Sequence, residues 1–279
     1  MYAVGRNAKD GAYIGKERFH PTMESITNHW LDRLRELRRQ HTPKKFHAAI
    51  VLAAGNGMRF GDENGKHLTM CGGIPVIVRS ALAFELCDRI DEIIVVTREG
   101  DRDICTTLLR DAGVTKLKTV VSGGDTRQIS AKRGFDAVNP NADFVSIHDA
   151  ARCLVTPEMI ASVLDEAEIH GAAACAEKTV DTVKRVNKEG FVVETLDRDR
   201  IWLVKTPQTF LANMYRAAAY TAEKDHFTAT DDCALVERLG FSVKLVDCGS
   251  ENIKITYPDD IARAEWILSR RAHTAKEEM

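Results

Sequence analysis

An α/β fold, with a mostly parallel sheet sandwiched in three layers between helices, is what the sequence predicts from Phe46 onward. Three observations carry it. Short continuous apolar runs recur at Ala48–Leu52, Ile93–Val96, Lys118–Val121, Phe144–Ile147 and Ala172–Ala176. Amphipathic helical patterns lie between them, and Gly- or Asp-bearing turns follow several of the runs. Strands buried on both faces read as unbroken apolar runs, because the crossover helices cover both sides of a parallel sheet.

The elements follow in chain order. Ala48-Ala49-Ile50-Val51-Leu52 is too short for a helix and ends in Gly55-Asn56-Gly57, so it reads as a first buried strand. Helical spacing over Ile74–Leu86, Arg102–Ala112, Thr126–Val138 and Pro157–His170 supplies the crossovers. Residues 178–205 break the alternation. Val180, Thr182, Val183 and Val186, then Phe191-Val192-Val193, then Ile201-Trp202-Leu203-Val204 read as strands with a turn near Asn187–Gly190, hence an inserted hairpin or arm suited to subunit contact. Helices at Ala212–Glu223 and Asp231–Arg238, a strand at Ser242–Val246 and a helix at Pro258–Arg271 complete the pattern.

Residues 1–45 have a different texture. They hold ten Lys/Arg against five Asp/Glu, leaving 29 against 36 for residues 46–279, although the whole chain of 279 residues carries a formal charge of only −2. The first twenty residues read as a polar tail. Residues 22–40 read as an amphipathic helix with Ile26, Trp30, Leu34 and Leu37 on one stripe, expected to pack on the protein's own body. The expected organisation is therefore a leader over 1–45 and one α/β domain over 46–279.

Composition narrows the class. The near-zero net charge excludes a protein built to coat nucleic acid. No run approaches the roughly 20 apolar residues of a membrane span, so no stable membrane insertion is expected. Seven scattered cysteines without a C-x-x-C pair exclude a zinc ribbon or a disulfide framework, and the start lacks an apolar signal region. A cytoplasmic protein is expected.

Four segments could carry chemistry. Ala53-Ala54-Gly55-Asn56-Gly57 with Arg59 and Lys66 bares backbone N–H groups after a strand and adds two cations. A plain structural turn is the alternative; the cations favour anion binding. The dinucleotide pattern G-x-G-x-x-G is excluded by Phe60, and a Walker A loop by its spacing and by His67 after Lys66. Gly123-Gly124-Asp125-Thr126-Arg127-Gln128-Ile129-Ser130 either caps the next helix or faces a ligand. His148-Asp149-Ala150-Ala151-Arg152 ends a strand with a carboxylate followed by Arg, as either a cap or a metal–phosphate site. Asn252-Ile253-Lys254-Ile255-Thr256 alone is a strand with one solvated Lys.

Together these segments resemble the 2-C-methyl-D-erythritol 4-phosphate cytidylyltransferases, within the nucleotide-diphospho-sugar transferase-like α/β superfamily. Asp181-Thr182-Val183-Lys184, Thr195-x-Asp197-Arg198, Trp202, Thr206-Pro207-Gln208 and Thr230-Asp231-Asp232 extend the match in the family's order over about residues 46–270. The resemblance implies transfer of CMP from CTP to methylerythritol phosphate with release of pyrophosphate, on the non-mevalonate isoprenoid route. It implies Arg59 and Lys66 as catalytic cations and Ala53, Ala54, Gly55, Asn56, Gly57, Gly124, Asp125, Ser130 and Ala151 around the nucleotide. It implies Asp149, Arg152, Val180, Thr195 and Lys254 around the acceptor, Mg²⁺ as cofactor with Asp149 as its ligand, and a homodimer built through the arm. The sequence departs from the family pattern at Cys153, at His67-Leu68, and at Val180, where some members carry Arg. The alternatives are a ribitol 5-phosphate cytidylyltransferase and a non-catalytic nucleotide-binding protein.

Overall fold

The computed structural model describes residues 44–55, 60 and 65–277, with side chains described through residue 274. The expected helix at 22–40, the rest of the leader, and Asn56, Gly57 and Arg59 of the first loop lie outside the described residues.

The strands are β1 (His47–Leu52), β2 (Met70–Cys71), β3 (Ile74–Pro75), β4 (Glu92–Thr97), β5 (Leu117–Ser122), β6 (Phe144–Asp149), β7 (Ala172–Lys178), β8 (Lys184–Val186), β9 (Val192–Thr195), β10 (Trp202–Leu211) and β11 (Lys244–Asp247). The helices are α1 (Val76–Glu85), α2 (Arg102–Asp111), α3 (Arg127–Asp136), α4 (Pro157–His170), α5 (Ala212–Lys224), α6 (Asp232–Arg238) and α7 (Asp259–Glu277).

Seven strands form the main sheet in the order β11-β7-β10-β6-β1-β4-β5. β10 alone runs antiparallel to its neighbours β6 and β7. The side-chain alternation of a strand sorts the apolar runs onto two faces. In β1, Ala48, Ile50 and Leu52 join one cluster with Phe135 of α3, Tyr215 of α5 and Val236 of α6. Ala49 and Val51 join the other, with Ile77 of α1, Leu109 of α2 and Leu164 of α4. Each fully buried Ile or Leu contributes about 1.5–3 kcal/mol of hydrophobic stabilisation, and the two clusters clamp the sheet from both sides.

Local chemistry starts the helices. Thr126 Oγ1 accepts from Ile129 N at 3.1 Å and Thr156 Oγ1 from Met159 N at 3.3 Å, with Pro157 in the first helical turn. Thr126, and not Asp125, therefore caps α3.

Two expectations change in detail. The expected arm over 178–205 is without a buried residue from Lys178 to Val204; β8 and β9 form its hairpin, closed by Asn187 N donating to Phe191 O at 2.9 Å, and Thr179 N donates to Ile201 O at 3.3 Å nearer its base. Trp202–Leu211 instead enters the central sheet, because its inner half, Lys205–Phe210, is buried between β6 and β7. Asn252–Thr256, expected as a strand, belongs to no strand or helix. It is pinned by Ile255 N donating to Ala151 O at 2.8 Å.

Candidate active site

β1, β4, β5 and β6 are parallel, so their carboxyl ends lie on one edge of the sheet. The register pairs Leu52 with both Val96 and Asp149, and Thr97 with Ser122. Loops leaving that edge are where open α/β sheets bind ligands. Here they frame a cleft of about 300 Å³.

The first wall is the loop after β1. Ala53 N donates to Val96 O at 2.6 Å, and Ala150 N to Leu52 O at 2.9 Å, so Ala53, Ala54 and Gly55 turn away from the sheet at a defined height. The second wall is the loop after β5. Gly123 N donates to Thr97 O at 2.8 Å, and Gly124 N to Ser130 Oγ at 3.1 Å. Both glycines are required by close approach. A Cβ on Gly123 would stand 2.3 Å from the Cβ of Ala54, and one on Gly124 2.2 Å from Cγ2 of Ile129. Ser130 is buried and its hydroxyl donates to Thr126 O at 2.9 Å, so it braces this loop against the first turn of α3.

The floor carries the charge. Asp149, at the end of β6, accepts at Oδ1 from Arg127 Nε at 3.0 Å and at Oδ2 from Lys254 Nζ at 2.6 Å. Its backbone N–H donates to Thr206 Oγ1 at 3.0 Å. Burial acts to raise the Asp149 pKa, but Arg127 and Lys254 outweigh it and hold the carboxyl well below the usual range. The side chain is therefore a carboxylate at every physiological pH. Arg127 is held firmly charged: burial opposes its charge, and Asp232 and Asp149 more than offset it.

Lys66 borders the cleft and donates to Ile255 O at 3.3 Å, which ties its loop to the Lys254 segment. His67 beside it is buried, with Nε2 3.1 Å from Asp101 Oδ2. Burial lowers its pKa, against the pull of Asp101. His148 is fully buried under Asp149. Its Nδ1 lies 3.1 Å from Thr206 Oγ1 and its Nε2 3.2 Å from Arg152 O. Desolvation takes its pKa down to about 3 despite the neighbouring Asp149. A neutral imidazole with both nitrogens engaged inside the protein is not a general base for a ligand in the cleft.

Of the residues expected at the site, Ala53, Ala54, Gly55, Lys66, Gly124, Asp125, Ser130, Asp149, Ala151 and Lys254 line this one cleft. Arg152 is adjacent but does not line it. Its Nη1 donates to Asn252 O at 3.0 Å, and its Nε is buried without a hydrogen-bond partner among the described residues. Val180 and Thr195 stand on the exposed arm and do not line the cleft, with Thr195 Oγ1 accepting from Lys184 Nζ at 2.6 Å. Sequence reasoning gave Arg127 no role of its own. Its signal was its place two residues after Asp125, which looked like an ordinary first turn of a helix.

No group of three or more His, Cys, Asp or Glu side chains among the described residues could hold a metal by itself. Asp149 and Asp125 are the acidic side chains lining the cleft. One carboxylate suits Mg²⁺, which takes one or two protein carboxylates and completes its shell with water and substrate phosphates.

A mostly parallel sheet with a glycine-lined cleft and converging cations at its carboxyl edge defines an α/β nucleotidyltransferase-like enzyme. The family model described as 2-C-methyl-D-erythritol 4-phosphate cytidylyltransferase matches residues 47–270. The chain belongs to that family. A relative so named from Desulforamulus reducens is 40% identical over 224 residues, 80% of this chain and 96% of that protein. One from Pelotomaculum thermopropionicum is 38% identical over 225 residues, 80% of this chain and 94% of that protein. Among solved structures, the 4-diphosphocytidyl-2C-methyl-D-erythritol synthase of Anaerococcus prevotii superimposes with a TM-score of 0.73 at 30% identity, covering 81% of this chain and all of that one.

Proposed function

We propose that this chain transfers CMP from CTP to 2-C-methyl-D-erythritol 4-phosphate, giving 4-diphosphocytidyl-2-C-methyl-D-erythritol and pyrophosphate in isoprenoid biosynthesis. One observation carries this reading beside the family membership. Lys66, Arg127 and Lys254 converge on a cleft whose wall is bared backbone and whose floor is Asp149.

The chemistry asks for such a site. The acceptor is a phosphate monoester with a second pKa of about 6, so at neutral pH it is largely a dianion and needs no base to become a nucleophile. That agrees with a site whose two neighbouring imidazoles, His67 in its lining and His148 behind it, are buried and have their pKa values lowered by desolvation. The barrier lies in bringing two polyanions together and in stabilising charge on the α-phosphoryl oxygens, which fixed cations and positioning supply.

The loop Ala53–Gly57, with Arg59 and Lys66, takes the triphosphate; Gly124, Asp125, Ser130 and Ala151 take the nucleoside. Lys254 and Asp149, with Arg152 behind them, take the acceptor. Asp149 would hold Mg²⁺ from the protein side, and the ion would supply charge neutralisation for the triphosphate and the leaving pyrophosphate. The arm, carrying Val180 and Thr195, joins a second copy of the chain, and the homodimer completes each site. Free thiols at all seven cysteines, and no helix among the described residues long and apolar enough to span a membrane, support a cytoplasmic enzyme.

The test offers CTP, Mg²⁺ and each candidate acceptor in parallel and follows pyrophosphate. Release with methylerythritol phosphate is expected. Release with ribitol 5-phosphate alone would select the related ribitol enzyme, and release with neither would leave a nucleotide binder.

A further inference from the structure

The functional reading leaves the most deeply buried carboxylate, Asp232, without a task. Asp232, the first residue of α6, is 1% exposed and too deep to meet a ligand in the cleft. Its Oδ2 accepts from Arg127 Nη1 at 2.6 Å, and its Oδ1 from the hydroxyl of the fully buried Tyr215 at 2.9 Å. Its backbone N–H donates to Oε1 of Gln208 at 3.0 Å, while Gln208 Nε2 donates to Asp231 Oδ2 at 2.9 Å. Asp231 caps the same helix. Of the Asp232 carboxylate, Oδ1 is thus held from behind by Tyr215, while Oδ2 faces Arg127.

Stability alone does not account for this arrangement. A buried ion pair is worth little or nothing over apolar residues of the same volume, because desolvation offsets the attraction. Geometry accounts for it. A guanidinium meeting one free carboxylate frequently closes onto both oxygens with two parallel bonds. Here Asp232 holds Nη1 and with it the plane of the guanidinium, and in that orientation Arg127 meets Asp149 through Nε and touches Oδ1 only. Oδ2 of Asp149 is left for Lys254. Thr206, two residues before Gln208 on β10, fixes the backbone N–H of Asp149 from the same side.

We infer that Asp232, oriented by Tyr215 and Gln208, is a positioning residue that acts through Arg127. It holds the Asp149 carboxylate in the rotation that keeps Lys254 at the acceptor side of the cleft. This assigns a role to Asp231-Asp232 and Thr206-Pro207-Gln208 that their distance from the cleft hides, and it rests on the functional reading above.

Two readouts test it. In steady-state turnover, Asp232→Asn is expected to raise the KM for methylerythritol phosphate about tenfold while the KM for CTP moves less than about twofold. Tyr215→Phe, which removes one hydroxyl and leaves the core intact, shifts the acceptor KM in the same direction by a smaller factor. Equal effects on both substrates, or an unchanged acceptor KM in both variants, would overturn the inference. The second readout needs no substrate. Urea unfolding of Asp149→Asn, Asp232→Asn and the double variant is expected to show a coupling of about tenfold in the unfolding constant. That coupling disappears when Arg127→Gln is added. Additive single changes, or coupling that survives without Arg127, would overturn the relay. If the wild-type chain fails to turn over methylerythritol phosphate, the functional reading falls while the coupling still decides the relay.

Discussion

Asp149 and Lys254 stand 105 positions apart in the chain, yet Nζ of the lysine lies 2.6 Å from Oδ2 of the carboxylate. The contact joins the end of β6 to a segment that enters neither sheet nor helix. It puts a cation whose side chain is 37% exposed at the rim of the cleft and an always-ionised carboxylate at its floor.

Lys254→Met keeps the stem of the side chain and removes the charge. The expected outcome is a loss of about 10²-fold in kcat/KM for the acceptor, with the CTP parameters nearly unchanged. Steady-state kinetics with each substrate varied in turn would show it. An equal loss for both substrates would place Lys254 on the triphosphate instead.

Lys66→Ala and Arg59→Ala should each fold normally and lose about 10²–10³ in turnover, the usual cost of removing one fixed cation from a developing negative charge. Pyrophosphate release at saturating CTP measures the loss, and circular dichroism checks the fold. Wild-type turnover in both would mean that neither is catalytic.

Gly123→Ala would drive a Cβ to 2.3 Å from that of Ala54, so the two loops that frame the cleft must part. Overpacking of this kind costs about 1–3 kcal/mol, and here it also widens the nucleotide wall. A lower urea midpoint together with a raised KM for CTP is expected. A variant with unchanged nucleotide affinity would show that the loops part elsewhere.

His148 makes stability pH-dependent. Its folded pKa is pushed down to about 3 by burial, with Asp149 opposing and Arg152 adding. An unfolded histidine titrates at about 6.5, so between about pH 6.5 and 3 the unfolded chain binds a proton that the folded chain refuses. Stability therefore falls as pH falls through that window. Asp149 is depressed, so its contribution is complete above about pH 4 and is lost only below that. From about pH 6 to 4.5 the slope thus comes from imidazoles together with the lowered Glu99 and Glu158, whose share grows toward pH 4.5 because an unfolded Glu titrates at about 4.3. His148→Gln should reduce it by about 1.4 kcal/mol per pH unit. The buried His47 and His67, both lowered chiefly by desolvation, share the remainder with the two glutamates. Urea midpoints across that range test it, and an unchanged slope would show that His148 takes up its proton while folded.

The arm displays Phe191 at 71% exposure beside Val192 and Val193. Apolar side chains so placed on a protruding hairpin call for a partner surface. The wild-type chain is expected to sediment as a dimer at micromolar concentration. Phe191→Asp should shift it toward monomer and lower turnover about tenfold or more, by taking Thr195 of the arm away from the neighbouring site. A monomer with full activity would rule out the arm's role.

Most of the sheet was legible along the chain because each buried strand announces itself locally. Ala48–Leu52 is apolar at every position, and no helix of five residues would be stable. The helices between strands were legible through their apolar period, usually to within one or two residues: Arg102–Ala112 was expected and Arg102–Asp111 is observed. β10 was read less well. Its exposed first residues look like arm, and only its place between β6 and β7 shows that Lys205–Phe210 is core. The candidate site was legible as a set of segments, since glycine pairs and strand-end carboxylates mark the loops where a backbone meets a ligand.

The sequence by itself determined the fold class, the four cleft-forming segments and the family, because strand runs, helix periods and ordered motifs are all written over short stretches of chain. Tertiary structure decided what those side chains do to one another. Whether Asp149 caps a helix or faces a cleft, whether His148 is a base or an internal strut, and that Arg127 divides its guanidinium between Asp149 and Asp232 all depend on distances across elements up to 105 positions apart. Charge pairing and desolvation act through space and fall off over a few ångströms, so they emerge only when the sheet has brought its carboxyl ends together.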